Sequence, residues 1–137
     1  MNIEQIKACL DDALKLRVPR FAPDFPPARK ISALEHYMLQ GAHLDAELVA
    51  SRHWLRAIRV NLSEQWTRLD GWEVATSRPR GRLTTADIEQ AKAKVAPALF
   101  DAIHEAKRLS ESVDDQIARL ERDARTCSRV YSMISGT

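Results

Sequence analysis

The sequence predicts an all-α fold whose main body is a long antiparallel helical hairpin of coiled-coil character. Three observations carry this reading. No proline interrupts the chain from Ala28 to Leu69, where apolar residues recur every third or fourth position. A second series with the same spacing follows Pro97 and is sustained over about five heptads. Between them lies a loop holding Pro79 and Gly81, residues that reverse a chain. At 137 residues and 45% hydrophobic content, the chain suits one domain, 1–137.

Residues 3–16 place Ile3, Ile6, Leu10, Ala13 and Leu14 at helical spacing and predict a short first helix. Residues 17–27 form a Pro-rich linker, with Pro19, Pro23, Pro26 and Pro27 removing amide donors and favouring extended backbone. Phe21 and Phe25 are placed to pin this linker onto a helix surface. Residues 28–69 predict a helix of about 40 residues, about 60 Å long at 1.5 Å per residue. Its seam is Leu34, Tyr37, Gly41, Leu44, Leu48, Ser51, Leu55, Ile58, Leu62, Trp66 and Leu69. After the loop 70–83, Thr84 or Thr85 can cap a last helix, 84–135, with Asp87 and Glu89 in its first turn. Pro97 lacks an N–H and clashes with the preceding turn, which predicts a break or kink near Val95 and Ala96. Beyond it the seam runs through Leu99, Ile103, Ala106, Leu109, Val113, Ile117, Leu120, Ala124, Cys127, Tyr131 and Ile134.

The long second helix carries more apolar surface than one partner helix covers. Met38, Ala42, Ala46, Val49, Ala57 and Val60 form a further strip about a quarter to a third of a turn from the seam. This strip predicts a protein partner or a homo-oligomer, with Met38, Ala42, Ala46, Val49 and Val60 as interface residues. The expected function is therefore non-enzymatic: an assembly, adaptor or regulatory protein acting through the hairpin.

Catalytic chemistry finds little support in the residues. The chain has no GxSxG elbow or Gly-rich phosphate loop, and only four glycines. Cys9 and Cys127 have neither CxxC nor Cys/His ligand spacing and read as reduced, buried thiols. His36, Gln40, His43 and Glu47 share a helix face, as half of a bundle metal site would. The other half would be Asp101 and His104, but at about 100° per residue these lie opposite the last helix's apolar stripe. No metal, cofactor or catalytic residue is therefore assigned.

The basic residues support an alternative function, nucleic-acid binding. Net charge is only +2, yet 15 of the 21 basic residues are arginine. Arg78, Arg80 and Arg82 cluster at the hairpin tip with Arg68 and Trp72 beside them, a combination suited to phosphates and unstacked bases. The same residues also suit a turn that caps the second helix, with Trp72 folded over Trp66 and Leu69. On the last helix Arg108, Arg119, Arg122, Arg125 and Arg129 fall within an arc of about 120° opposite the apolar stripe. Arg122, Arg125 and Arg129 are the further candidates for an anionic ligand. On the second helix, Arg52, Arg56 and Arg59 flank the seam, where stems can cover apolar surface and heads can pair with acids of the facing helix. No stretch of about 18 apolar residues suits a bilayer, and the opening "MNIEQIKACLDD" does not read as a leader. A cytoplasmic protein without membrane contact is the expectation.

Overall fold

The computed structural model describes residues 1–76 and 82–136. Four α-helices and no strand occur among them: α1 (Ile3–Lys15), α2 (Pro27–Thr67), α3 (Thr85–Val95) and α4 (Pro97–Ser135), with a short 3₁₀ turn at Trp72–Ala75. The two long helices, α2 and α4, pack against each other as a helical hairpin. The backbone divides into two compact units, Met1–Trp54 with Glu111–Thr137, and Leu55–Ser110.

In the first unit, α1 starts at a capping box. The Gln5 amide donates to Asn2 Oδ1, and the Asn2 amide donates back to Gln5 Oε1, both at 2.9 Å. Ile6, Cys9, Leu10 and Ala13 are buried, whereas Leu14, expected on the same face, is 48% exposed. The Pro-rich linker then returns over α2 and α4. Leu16, Val18 and Phe21 pack against Leu34, Tyr37 and Cys127, joined by Met38, Val130, Tyr131 and Ile134. Phe25 stacks on Phe21, with ring centroids 5.2 Å apart, so the linker is pinned by one ring directly and by the other through it. Pro27 opens α2, and the Pro26 carbonyl accepts from the Arg29 and Lys30 amides at 3.1 Å.

The buried seam of this unit is Leu34, Tyr37, Leu48 and Ser51 on α2 and Val113, Ile117, Leu120 and Cys127 on α4. Ser51 fits an apolar seam because its hydroxyl donates to the Glu47 carbonyl at 2.9 Å. Ala124, expected in the seam, is exposed. At about 100° per residue, Asp123 and Val130 lie on the other side of the Leu120–Cys127 line. The linker and Tyr37 draw that side inward.

In the second unit, Leu55, Ala91, Ala106 and Leu109 are buried, with Ile58, Leu62 and Trp66 half-buried. Thr84 caps α3: its hydroxyl accepts from the Asp87 amide at 3.2 Å, and Asp87 Oδ2 accepts from the Thr84 amide at 3.0 Å. Of the break or kink expected near Val95 and Ala96, the structure has a break. Ala96 leaves helical geometry at φ −131° and ψ 68°, and Pro97 is the first residue of α4. Past the end of α2, Gly71 takes φ +80°, where a side chain would be strained.

Two substitutions test this packing. Leu48 is fully buried, so Leu48→Ala is expected to lower unfolding free energy by about 2–5 kcal/mol in urea titration. A Cβ on Gly41 would meet Leu16 Cδ2 at 3.8 Å, an ordinary contact. Gly41→Ala is therefore expected to raise stability by about 0.5–1 kcal/mol in the same assay, because a helix-interior glycine carries extra unfolded-state entropy.

Candidate functional site

The outward face of α2 is the first candidate. Of the strip predicted for a partner, Ala42 and Ala46 are exposed, while Met38 and Val49 are only partly so. Met38 packs into the Leu34–Tyr37–Cys127 cluster, so the chain itself satisfies this part of the strip. Ala50 and Leu39 extend the open surface, and Leu39 is 72% exposed although the seam spacing did not single it out. At about 100° per residue, Leu39, Ala42, Ala46 and Ala50 fall within a quarter of a turn. The corresponding position in the second unit, Val60, is 59% exposed.

The arginines sort into two kinds. Arg119, expected on the outward arc of α4, is instead a structural anchor. Its guanidinium donates to the Leu16 carbonyl at 3.0 Å, to the Ala13 carbonyl, and to Gln116 Oε1 at 2.8 Å, with Asp123 Oδ2 at 3.4 Å. At the end of α1 the Leu16 amide donates to the Asp12 and Ala13 carbonyls, and this forked cation adds donors to the Ala13 and Leu16 carbonyls. Arg52 reaches the acid Asp114 at 3.9 Å, as the seam-flanking role requires, whereas Arg59 Nη1 donates to a hydroxyl, Ser110 Oγ, at 3.4 Å. By contrast Arg122, Arg125 and Arg129 are exposed, as is Met133 beside them, and no acidic residue follows Asp123 in the sequence.

In the second unit, Arg68 and Arg82 are exposed and Trp72 is half-buried. Arg78 and Arg80 lie outside the described residues. Among the described residues, Lys92 is a cation that reaches the end of α2. Its Nζ donates to the Trp66 carbonyl at 3.0 Å and sits 5.8 Å from the Trp66 ring centroid. Lys92 is only 9% exposed, and these contacts compensate its burial. Trp66 also donates its indole N–H to Glu89 Oε2 at 2.8 Å and packs against Phe100 with centroids 6.1 Å apart. Sequence spacing placed Trp66 on the seam but gave no sign of its partners on α3 and α4.

The potential metal ligands do not converge within either unit. His36, Gln40 and His43 are exposed, His43 Nε2 lies 3.0 Å from Glu47 Oε1, and His104 stacks edge-on against Phe100 at 4.3 Å. Among the described residues no cluster of three or more His, Cys, Asp or Glu side chains is arranged to hold a metal ion.

Both thiols are buried. Burial, then a hydrogen bond to Glu47 and the charges of Glu47 and Asp12, pushes Cys9 up to about 12. Burial and the Asp123 carboxylate likewise raise Cys127. Tyr37 is pushed up to about 12, chiefly by burial and then by Asp123. These groups stay protonated at neutral pH, which removes the thiolate that nucleophilic chemistry needs. Asp45 is raised by burial and by Glu121, against a smaller opposing pull from Arg52.

No helix among the described residues is long and apolar enough to cross a membrane. No family model, curated protein or solved structure matches the chain.

Two pH experiments follow. The raised Asp45 favours the protonated carboxyl in the folded state. That contribution is complete below the unfolded value of about 3.9 and is lost as pH rises through the folded value. Asp45→Asn is therefore expected to be stabilising at pH 7 relative to the parent chain, with the difference vanishing below about pH 3.9, measured by urea unfolding across pH. Cys9 and Cys127 are expected to resist iodoacetamide at pH 8 in the native protein and to react once urea unfolds it, read by intact mass.

Proposed function

We propose that this protein acts by protein–protein association through the outward face of α2, as an assembly, adaptor or regulatory component rather than as an enzyme. The exposed run of Leu39, Ala42, Ala46 and Ala50 supports this reading most directly. Three small side chains let another helix approach closely, and one large apolar side chain offers area to bury. A second copy of the chain or a helix of a partner protein is the fitting occupant.

Ala42→Glu and Ala46→Glu test the face without touching the buried seam. Both positions are exposed in a helix interior, where glutamate is a good helix former. The expected result is loss of oligomer mass in light scattering, or release of a co-purifying protein, with unchanged helical circular dichroism. A chain that stays monomeric at millimolar concentration and retains every partner in both variants overturns the proposal.

The exposed Arg122, Arg125 and Arg129 favour a second reading, contact with a nucleic-acid backbone, to which Arg68, Trp72, Arg78, Arg80 and Arg82 are further candidates. Affinity for a DNA or RNA duplex is then expected to fall steeply with salt, and Arg125→Gln with Arg129→Gln to flatten that dependence by about two phosphate contacts. Absence of binding at low salt eliminates this reading.

A further inference from the structure

The second unit contains a cleft of about 410 Å³ on the side of α2 and α4. Leu62, Trp66, Phe100 and Ile103 line its apolar part. Phe100 lines the cleft and is 37% exposed, so part of this side chain stays accessible beside its contacts with Trp66 and His104. Two cations stand in the lining, Arg59 from α2 and Lys107 from α4. Arg59 is steadied by its bond to Ser110 Oγ, which leaves other guanidinium N–H groups for a ligand. The carboxylate in the lining, Glu89, accepts the Trp66 indole N–H, which ties it to the ring side of the cleft; with Arg59 and Lys107 the three charged groups leave the lining positive. His104 holds its ring edge against Phe100 and adds a polar nitrogen to the wall.

From this arrangement we infer a binding site for a small planar aromatic carboxylate. Its ring would lie along Trp66 and Phe100 while its carboxylate meets Arg59 and Lys107. The chemistry selects for both halves of such a ligand. Offset aromatic contact rewards a flat ring, and a guanidinium pairs a carboxylate through parallel N–H donors. A cationic ligand would face Arg59 and Lys107, and a purely apolar one would leave both charges against an apolar surface. The volume accommodates one bicyclic ring system, within the range of small-ligand pockets. Nothing in this site depends on the outward face of α2, so the two proposals stand or fall separately.

The test uses the full chain with 1-naphthoate as probe and 1-naphthalenemethanol as its neutral counterpart, followed by ¹⁵N–¹H spectra and calorimetry. The Trp66 indole N–H, assigned by its loss in Trp66→Phe, and the His104 ring are expected to shift on adding naphthoate, with weaker binding as salt rises. The neutral alcohol is expected to bind at least tenfold more weakly. Lys107→Gln, at an exposed position, is expected to weaken naphthoate binding about threefold or more, and Arg59→Gln with Lys107→Gln at least tenfold. Circular dichroism confirms that each variant is folded. No shift of Trp66 or His104 at millimolar naphthoate overturns the proposal, as does equal affinity for the acid and the alcohol. Shifts of the same two signals with protein concentration alone would also overturn it, since they would show a second copy occupying the cleft.

Discussion

The structure depends on mutual burial of two apolar stripes. Neither α2 nor α4 can hide its own seam, and a long helix with an exposed seam has no unique neighbour. Set side by side, Leu34, Leu48 and Leu55 on α2 and Val113, Ile117 and Cys127 on α4 are withdrawn from water. Everything else is placed by that pairing. Pro97 is tolerated because it stands at the first position of α4, where its missing N–H costs no helical hydrogen bond. Ser51 is tolerated because its hydroxyl finds a carbonyl one turn back.

The smaller elements close what the pairing leaves open, each with a distinct device. In the first unit α1 contributes four buried side chains, and Arg119 satisfies its terminal carbonyls. The Pro-rich linker, with few amides to satisfy, lies over Tyr37 and Cys127 through Leu16, Val18 and Phe21. In the second unit Lys92 answers the end of α2 through the Trp66 carbonyl and ring. In both places one cation serves a helix C-terminus, where the macrodipole also favours positive charge. Arg119 and Lys92 are thus structural cations, whereas Arg122, Arg125 and Arg129 stay exposed.

The functional readings rest on surface that these devices leave uncovered. The face of α2 from Leu39 to Ala50 offers close approach to another helix, and the cleft beside Trp66 and Phe100 offers a flat apolar wall with two cations. They ask for different occupants because one is a shallow row of small side chains and the other a concave site. Cys9 and Cys127 are both buried, small side chains that fill space between helices.

Periodicity by itself determined the long helices and most of their seams, and Pro97 marked a break or kink near Val95 and Ala96, because helix spacing and proline geometry are local properties of the chain. A threonine cap was legible for the same reason, but the choice of Thr84 over Thr85 came from the structure. Which outward residues stay open was a tertiary matter. Met38 and Leu39 are neighbours in sequence, yet the linker covers one and leaves the other exposed, and no helical wheel contains the path of the linker. Ala124 leaves the seam for a related reason, since Tyr37 and the linker draw Asp123 and Val130 inward. Arg119 and Arg122 share an arc in the sequence pattern, but only Arg119 meets the end of α1. The partners of Trp66 come from Glu89, Lys92 and Phe100, far along the chain, and only folding brings them to one ring.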